Sequence, residues 1–142
     1  FWTYVHFHGE KWSNYGAEKL KWMFAHRSFL DLEIQAPGAS DYPPGPFEPL
    51  MAMQSMVTRK DVNGQTWGGN QRVTVDEALR IATINGARAS REETTKGSIT
   101  VGKFADFVIL ERDPHVVQPD ELKQIPIVRT VAGGRTVYSV MP

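Results

Sequence analysis

The most constraining feature of this sequence is a pair of glycines between two runs of strand-forming residues near its end. Gly133 and Gly134 separate residues 129–131 from residues 136–138. A Gly-Gly pair supplies the positive φ angles that a tight β-hairpin requires. The preceding segment KGSITVGKFADFVIL also contains short apolar runs divided by glycines. The sequence from Lys96 onward is therefore predicted to form short β-strands.

The best-marked helix lies just before this β-rich region. Thr74 and Glu77 have the spacing of a capping box, in which each side chain bonds to the backbone amide of the other residue. Small and apolar side chains then recur every three or four positions, which predicts one narrow helical stripe: Val75, Leu79, Ala82, Gly86 and Ala89. A second helix is predicted over PLMAMQSMVTR.

The first part of the chain predicts a strand, a helix and a second strand. Val5 and Phe7 stand among aromatic neighbours and predict a strand that ends near Gly9, and GAEKLKWMF predicts the helix. A short strand is predicted from Ile34 to a Pro-rich loop that begins beside Asp41. The opening run FWTYVHFHGE lacks an initiator Met and resembles the interior of a buried strand, so we expect a piece of a longer protein.

Composition argues against several functional classes. The 16 Lys and Arg side chains balance 16 Asp and Glu side chains, so no one-signed field favours nucleic acid or an anionic membrane. No stretch approaches the roughly 20 apolar residues of a membrane helix. The absence of cysteine removes thiol chemistry and leaves His, Asp and Glu as carriers of reactivity. We expect a cytoplasmic protein whose partner is a small molecule or another protein.

His6 and His8 are the first candidates for chemistry. Residues two apart in a strand face the same side, so both imidazoles could reach one metal ion. A short His-x-His is also common on a solvated strand face, where it needs no ligand. The local sequence favours this second interpretation and leaves the first one open.

Asp41 is the second candidate, and two other histidines are less promising. A carboxylate at the end of a strand, beside a Pro-rich loop, lies where enzymes place metal ligands and general bases. The alternative is a turn Asp that accepts hydrogen bonds from nearby backbone amides. His26 and His115 have no carboxylate or histidine arranged around them in the sequence, and we expect both to be solvated.

Several segments, taken in order, resemble the amidohydrolase superfamily, and most closely its amidohydrolase-3 branch. They are ASDYP with PLMAMQSMVTR, then QRVTVDEALRIATINGARAS, KGSITVGKFADFVILERDP and VRTVAGGRTVYS. The resemblance implies an α/β fold in which residues 1–95 are the last strands and helices of a (β/α)8 barrel. Residues 96–142 would then be the C-terminal strands of a small β-sandwich domain.

The resemblance also implies roles for the candidate residues. In such enzymes the Asp that ends the eighth barrel strand binds a catalytic divalent metal, expected to be zinc, and takes the proton of the attacking water. That position is Asp41. His6 and His8 lie too close to Asp41 to be the family's first-strand metal pair, because only one βα unit fits between them. They become candidate substrate-binding residues on or after strand seven, and the other metal ligands have no counterparts in this sequence.

We therefore expect part of a metal-dependent hydrolase that cleaves a non-peptide C–N bond in a small amide-like substrate. The rest of a parent chain, or another copy, is expected to complete the fold. Two rivals remain open. One is a non-catalytic, oligomeric binding module, and the other is an amidohydrolase-like protein without activity.

Overall fold

The structure, a computed structural model, describes residues 3–140. Short helices occupy the first two-thirds of this range, and an antiparallel sheet occupies the last third. In chain order the elements are α1 (Tyr4–Trp12), a 3₁₀ turn (Ser13–Tyr15), α2 (Ala17–Leu20), α3 (His26–Asp31), α4 (Pro49–Thr58), a 3₁₀ turn (Gly69–Gln71), α5 (Val75–Ala82), α6 (Ile84–Ala89), β1 (Phe107–Leu110), a 3₁₀ turn (Pro119–Gln124), β2 (Ile127–Ala132) and β3 (Arg135–Ser139). The predicted strand near the start is therefore tested only from residue 3.

The apolar core lies where α4 packs against α5. The cluster of buried side chains there comprises Met53, Met56, Val73, Ala78 and Ile81. Helix α4, predicted from PLMAMQSMVTR, begins with Pro49 in its first turn, where the missing N–H is not needed. The Pro119–Gln124 turn packs on α4 and buries Leu122 completely. This turn anchors the β-rich end of the chain to the helical part.

Helix α5 confirms the predicted capping box but ends earlier than expected. The Glu77 amide donates to Thr74 Oγ1 at 3.2 Å, and the Thr74 amide donates to the Glu77 carboxylate at 2.7 Å. The single helix predicted to continue to Ala89 is wrong at Thr83. This residue leaves helical geometry at φ −128° and ψ −90°, and its hydroxyl donates to the Leu79 carbonyl. Helix α6 then starts in a new direction.

The three-stranded sheet confirms the predicted hairpin. Its strands are antiparallel in the order β1-β2-β3, and β2 and β3 are joined by Gly133 and Gly134 at φ 55° and 76°. The strands predicted at 98–99 and 101–102 are absent from the described structure. Positive φ angles at Gly97 and Gly102 turn the chain there, and the Lys103 amide donates to the Thr100 carbonyl.

Two predictions for the first part of the chain are wrong. Residues 4–12 form a helix instead of a strand, because Val5, Gly9 and Trp12 are buried at the spacing of one helical face. An aromatic run of this length fits either period. The second predicted strand, from Ile34, is irregular: strands need a paired neighbour, and within residues 3–140 its backbone contact to the helices is one hydrogen bond from Gly38 to Ile81.

The described residues thus combine helices with a small antiparallel sheet. The predicted helix over GAEKLKWMF is limited to α2, after which turns lead to Phe24 at φ 49°. The predicted boundary between residues 95 and 96, with a barrel part before it and a sandwich part after it, stays a prediction. Between residues 3 and 140, no helix is both long and apolar enough to cross a membrane.

Candidate functional site

Asp41 lies in a tight turn at the entrance to the Pro-rich loop. Its backbone adopts the left-handed conformation at φ 56°, which Asp tolerates better than most residues. The Tyr42 amide donates to Ser40 Oγ at 3.2 Å, and the Gly45 amide donates to the Asp41 carbonyl at 3.0 Å. These bonds define the turn and leave the half-buried Asp41 carboxylate for other partners.

The Asp41 carboxylate accepts a hydrogen bond from the hydroxyl of Tyr4, in the first turn of α1. This bond joins residues that are 37 positions apart in the sequence. It raises the pKa of Tyr4, because ionisation would place a second negative charge beside the carboxylate, and burial of the phenol adds to the shift. Tyr4 was not predicted as a site residue; had α1 been recognised, its position one turn before His8 would have indicated it.

His8 lies on the same side of α1 as Tyr4. The two rings meet edge to face, with centroids 5.3 Å apart. The Nδ1 atom of His8 is buried and has no hydrogen-bond partner within the described residues. The structure therefore places His8 next to Asp41 through one intervening side chain, Tyr4.

His6 faces a different part of the molecule. It lines a cleft of about 340 Å³ together with Lys60, Asp61 and Lys123. Burial lowers the pKa of His6, and the charge of Lys123 lowers it further. The predicted common face of His6 and His8 is wrong, because residues two apart on a helix point about 200° apart.

The donor atoms suit a divalent metal only in part. Asp41 offers a carboxylate oxygen, a ligand that zinc accepts. Across residues 3–140, no three His, Cys, Asp or Glu side chains converge in an arrangement that would hold a metal ion. Asp41 therefore fits the role of one ligand, and the remainder of a complete set is not found in the described part of the chain.

A buried arginine supports this side of the molecule. Arg59, only 1% exposed, donates to the backbone carbonyls of Met23, Phe24 and Trp67 at 2.8 to 3.1 Å. Its guanidinium also lies 5.4 Å from the ring centre of Trp12, and burial lowers its pKa to about 10. Sequence reasoning missed Arg59, since nothing local distinguishes it from a surface arginine.

The Arg59 contact reaches Asp41 through a chain of neighbours. Phe24, whose carbonyl accepts from Arg59, packs its ring against Tyr4 with centroids 5.7 Å apart. The loop after Arg59 is fixed by Asp61, which accepts from the Trp67 indole at 2.7 Å and from two backbone amides. The position of Tyr4 thus depends on residues far from it in sequence.

The expectation of solvated side chains at His26 and His115 is wrong. His26 is 9% exposed; burial lowers its pKa to about 4, and the charge of Arg59 contributes in the same direction. His115 is exposed, but its Nε2 lies 2.9 Å from Asp76 and its Nδ1 lies 2.7 Å from Asp113. Hydrogen bonds to Asp76 and Asp113 raise the pKa of His115.

Comparison with known proteins identifies the family. The sequence matches the amidohydrolase family over residues 4–138, so the chain belongs to that family, and the resemblance seen in the sequence is confirmed. The family implies a superfamily whose common architecture is the (β/α)8 barrel. No solved structure matches the chain.

Three relatives illustrate the match. The chain is 38% identical to the N-substituted formamide deformylase of Arthrobacter pascens over 127 residues, which are 89% of the chain and 23% of the relative. It is 33% identical to YtcJ of Bacillus subtilis (strain 168), provisionally named an amidohydrolase, over 87% of the chain and 24% of that protein. It is 30% identical to the imidazolonepropionase of Kosmotoga olearia over 84% of the chain and 28% of the enzyme. The chain thus spans about a quarter of the length of these relatives.

Proposed function

We propose that this chain forms part of a metal-dependent hydrolase that cleaves a non-peptide C–N bond in a small amide-like molecule. The observation that carries the proposal is Asp41, held at the surface of a tight turn by Tyr4 in a chain of the amidohydrolase family. Relatives named as a formamide deformylase and an imidazolonepropionase support a C–N bond as the target. Location in the cytoplasm remains a prediction.

Asp41 would serve as one ligand of a divalent metal, with zinc expected, and as the proton carrier of the reaction. When bound, such a metal polarises the scissile carbonyl and makes the attacking water more acidic. The carboxylate of Asp41 would accept a proton from that water and deliver it to the leaving nitrogen. A carboxylate suits both steps because it is ionised at neutral pH and accepts hydrogen bonds from either partner. The other ligands would come from outside the described residues.

His8 is the better placed of the two histidines for contact with substrate. It lies one side chain away from Asp41 and has a buried ring nitrogen without a partner in the described structure. His6 lines a separate cleft, so its role in substrate binding stays a prediction that this position does not favour.

A chimeric enzyme tests the proposal. Residues of this chain replace the 127 matching residues of the Arthrobacter formamide deformylase, and hydrolysis of an N-substituted formamide is measured with zinc and with a chelator. Asp41→Asn should lower kcat/KM by about 10²- to 10⁴-fold, because the proton carrier and a charged ligand are lost. Asp31→Asn, an exposed acid on α3, is the matched control. Unchanged activity of Asp41→Asn would contradict the proposal.

The isolated chain provides a second test. We expect the 142-residue chain to be inactive with zinc, because within its described residues Asp41 is not joined by a complete ligand set. Activity equal to that of the chimera would show that no ligands from elsewhere are required. A folded, zinc-binding chimera without activity would instead favour an inactive amidohydrolase-like protein.

The exposed sheet favours one alternative, a non-catalytic binding module. Val108, Val137 and Tyr138 are each at least half exposed, and apolar side chains on a sheet surface are typical of a contact region. Such a module should form a stable oligomer through this sheet. Sedimentation of the chain as a well-behaved monomer, together with an active chimera, would eliminate this alternative.

A further inference from the structure

We propose that Tyr4 is a positioning residue for Asp41; the inference rests on the function proposed above. Among the described residues, the Tyr4 hydroxyl is the side-chain donor that reaches the Asp41 carboxylate. It bonds to Oδ2, which leaves Oδ1 for another partner. A single donor therefore orients the carboxylate and keeps its second oxygen available.

The Tyr4 ring is itself held from two directions. The ring of His8 meets it edge to face, and the ring of Phe24 contacts it at a centroid separation of 5.7 Å. Phe24 is fixed in turn by the hydrogen bond from Arg59 to its carbonyl. These contacts restrict rotation of the phenol, so its hydroxyl presents one direction to Asp41.

A neutral donor suits this task better than a cation would. Lys or Arg beside Asp41 would compensate its negative charge and compete with a divalent cation for the same oxygens. A tyrosine hydroxyl fixes the carboxylate by one hydrogen bond and leaves its charge in place. Partners of this kind, which hold a ligand without touching the metal, commonly change metal affinity or activity by about 10- to 100-fold when removed.

The test compares Tyr4→Phe with Tyr15→Phe in the chimera described above. Phe at position 4 keeps the ring contacts with His8 and Phe24 and removes only the hydroxyl. We expect kcat and zinc affinity, measured by competition with a chelator, to fall by about 10- to 100-fold with little change in KM. Tyr15 is 58% exposed, and its substitution should leave both quantities unchanged.

A measurement on the 142-residue chain separates positioning from general stability. The ¹³C resonance of the Asp41 carboxyl group should move in Tyr4→Phe and remain in place in Tyr15→Phe, while the thermal midpoint of both variants stays near that of the parent. An unmoved resonance would overturn the inference. So would a loss of kcat fully explained by a lower thermal midpoint.

The two proposals fail in different ways. If Asp41→Asn is inactive and Tyr4→Phe retains full kcat and zinc affinity, the role of Tyr4 is wrong and the proposed function stands. If Asp41→Asn is fully active, the proposed function is wrong, and the positioning role falls with it. Loss in both variants, with the resonance shift, supports both proposals.

Discussion

The segment that contains Asp41 and the hairpin at the end of the chain are stabilised in different ways. Asp41 is held by side chains from distant parts of the sequence, namely Tyr4 and, through Phe24, Arg59. The strands β2 and β3 are held by a regular backbone ladder that starts at two glycines. The comparison teaches that the chemistry of this chain depends on long-range contacts, whereas its most recognisable sequence depends on local ones.

Removal of the Arg59 side chain should break this contrast most strongly. Arg59→Met leaves three buried carbonyls without their donor, and each unsatisfied group costs about 1–3 kcal/mol, so we expect a loss of at least about 3 kcal/mol. The free energy of unfolding from urea titration measures it. Arg91 has the same left-handed backbone but is exposed, so Arg91→Met should change stability by less than about 0.5 kcal/mol. Equal effects of the two variants would contradict a special role for Arg59.

The two histidines of the two regions should respond to pH in opposite directions. His26 has a pKa near 4 in the folded chain, so between about pH 6.5 and pH 4 only the unfolded chain binds its proton. Stability should fall by about 3 kcal/mol as pH drops through this window. His115 has a raised pKa, so its contribution is complete below about pH 6.5 and is lost as pH rises through the folded value.

Variants isolate the two histidines from the other titrating groups. Urea unfolding at several pH values should show a weaker loss at low pH in His26→Gln than in the parent chain. His115→Gln should remove the loss that accompanies rising pH and leave the acid limb unchanged. An acid limb that is identical in His26→Gln and the parent would contradict the burial argument.

The hairpin offers the smallest effect and sharpens the comparison. Gly134→Ala places a Cβ at φ 76°, which should cost about 1–2 kcal/mol. Gly86→Ala in α6 is the matched control, because its Cβ would meet nothing within 4 Å and alanine favours helix by about 0.5–1 kcal/mol. Thermal midpoints should therefore shift in opposite directions. A lower midpoint for both variants would argue against the local origin of the hairpin.

The parts of the fold that could be predicted are those whose cause is local. The capping box of Thr74 and Glu77 and the turn at Gly133 are both determined by neighbouring residues. The strand predicted near Val5 was wrong because an aromatic run fits both periods, and burial of Gly9 decided for helix. The strand from Ile34 could not be tested by local pattern, since a strand exists only with a partner.

The candidate site divides in the same way. Asp41 was singled out from its sequence position, and its role remains a prediction. Its partner Tyr4 was missed because 37 residues separate them, and His115 was misjudged because Asp76 lies 39 residues away. Contacts of this length arise from the tertiary fold, and no local spacing indicates them.

The hydrogen bonds of Arg59 also bear on the order in which the chain becomes ordered during synthesis. The segment that ends at Phe24 leaves the ribosome before Arg59 and Trp67, yet it depends on Arg59 for its last turn. We therefore expect the residues made first to settle late, after the loop around Trp67 has emerged. A ribosome stalled before residue 59 should display α1 as a protease-sensitive segment, and one stalled well beyond residue 67 should protect it.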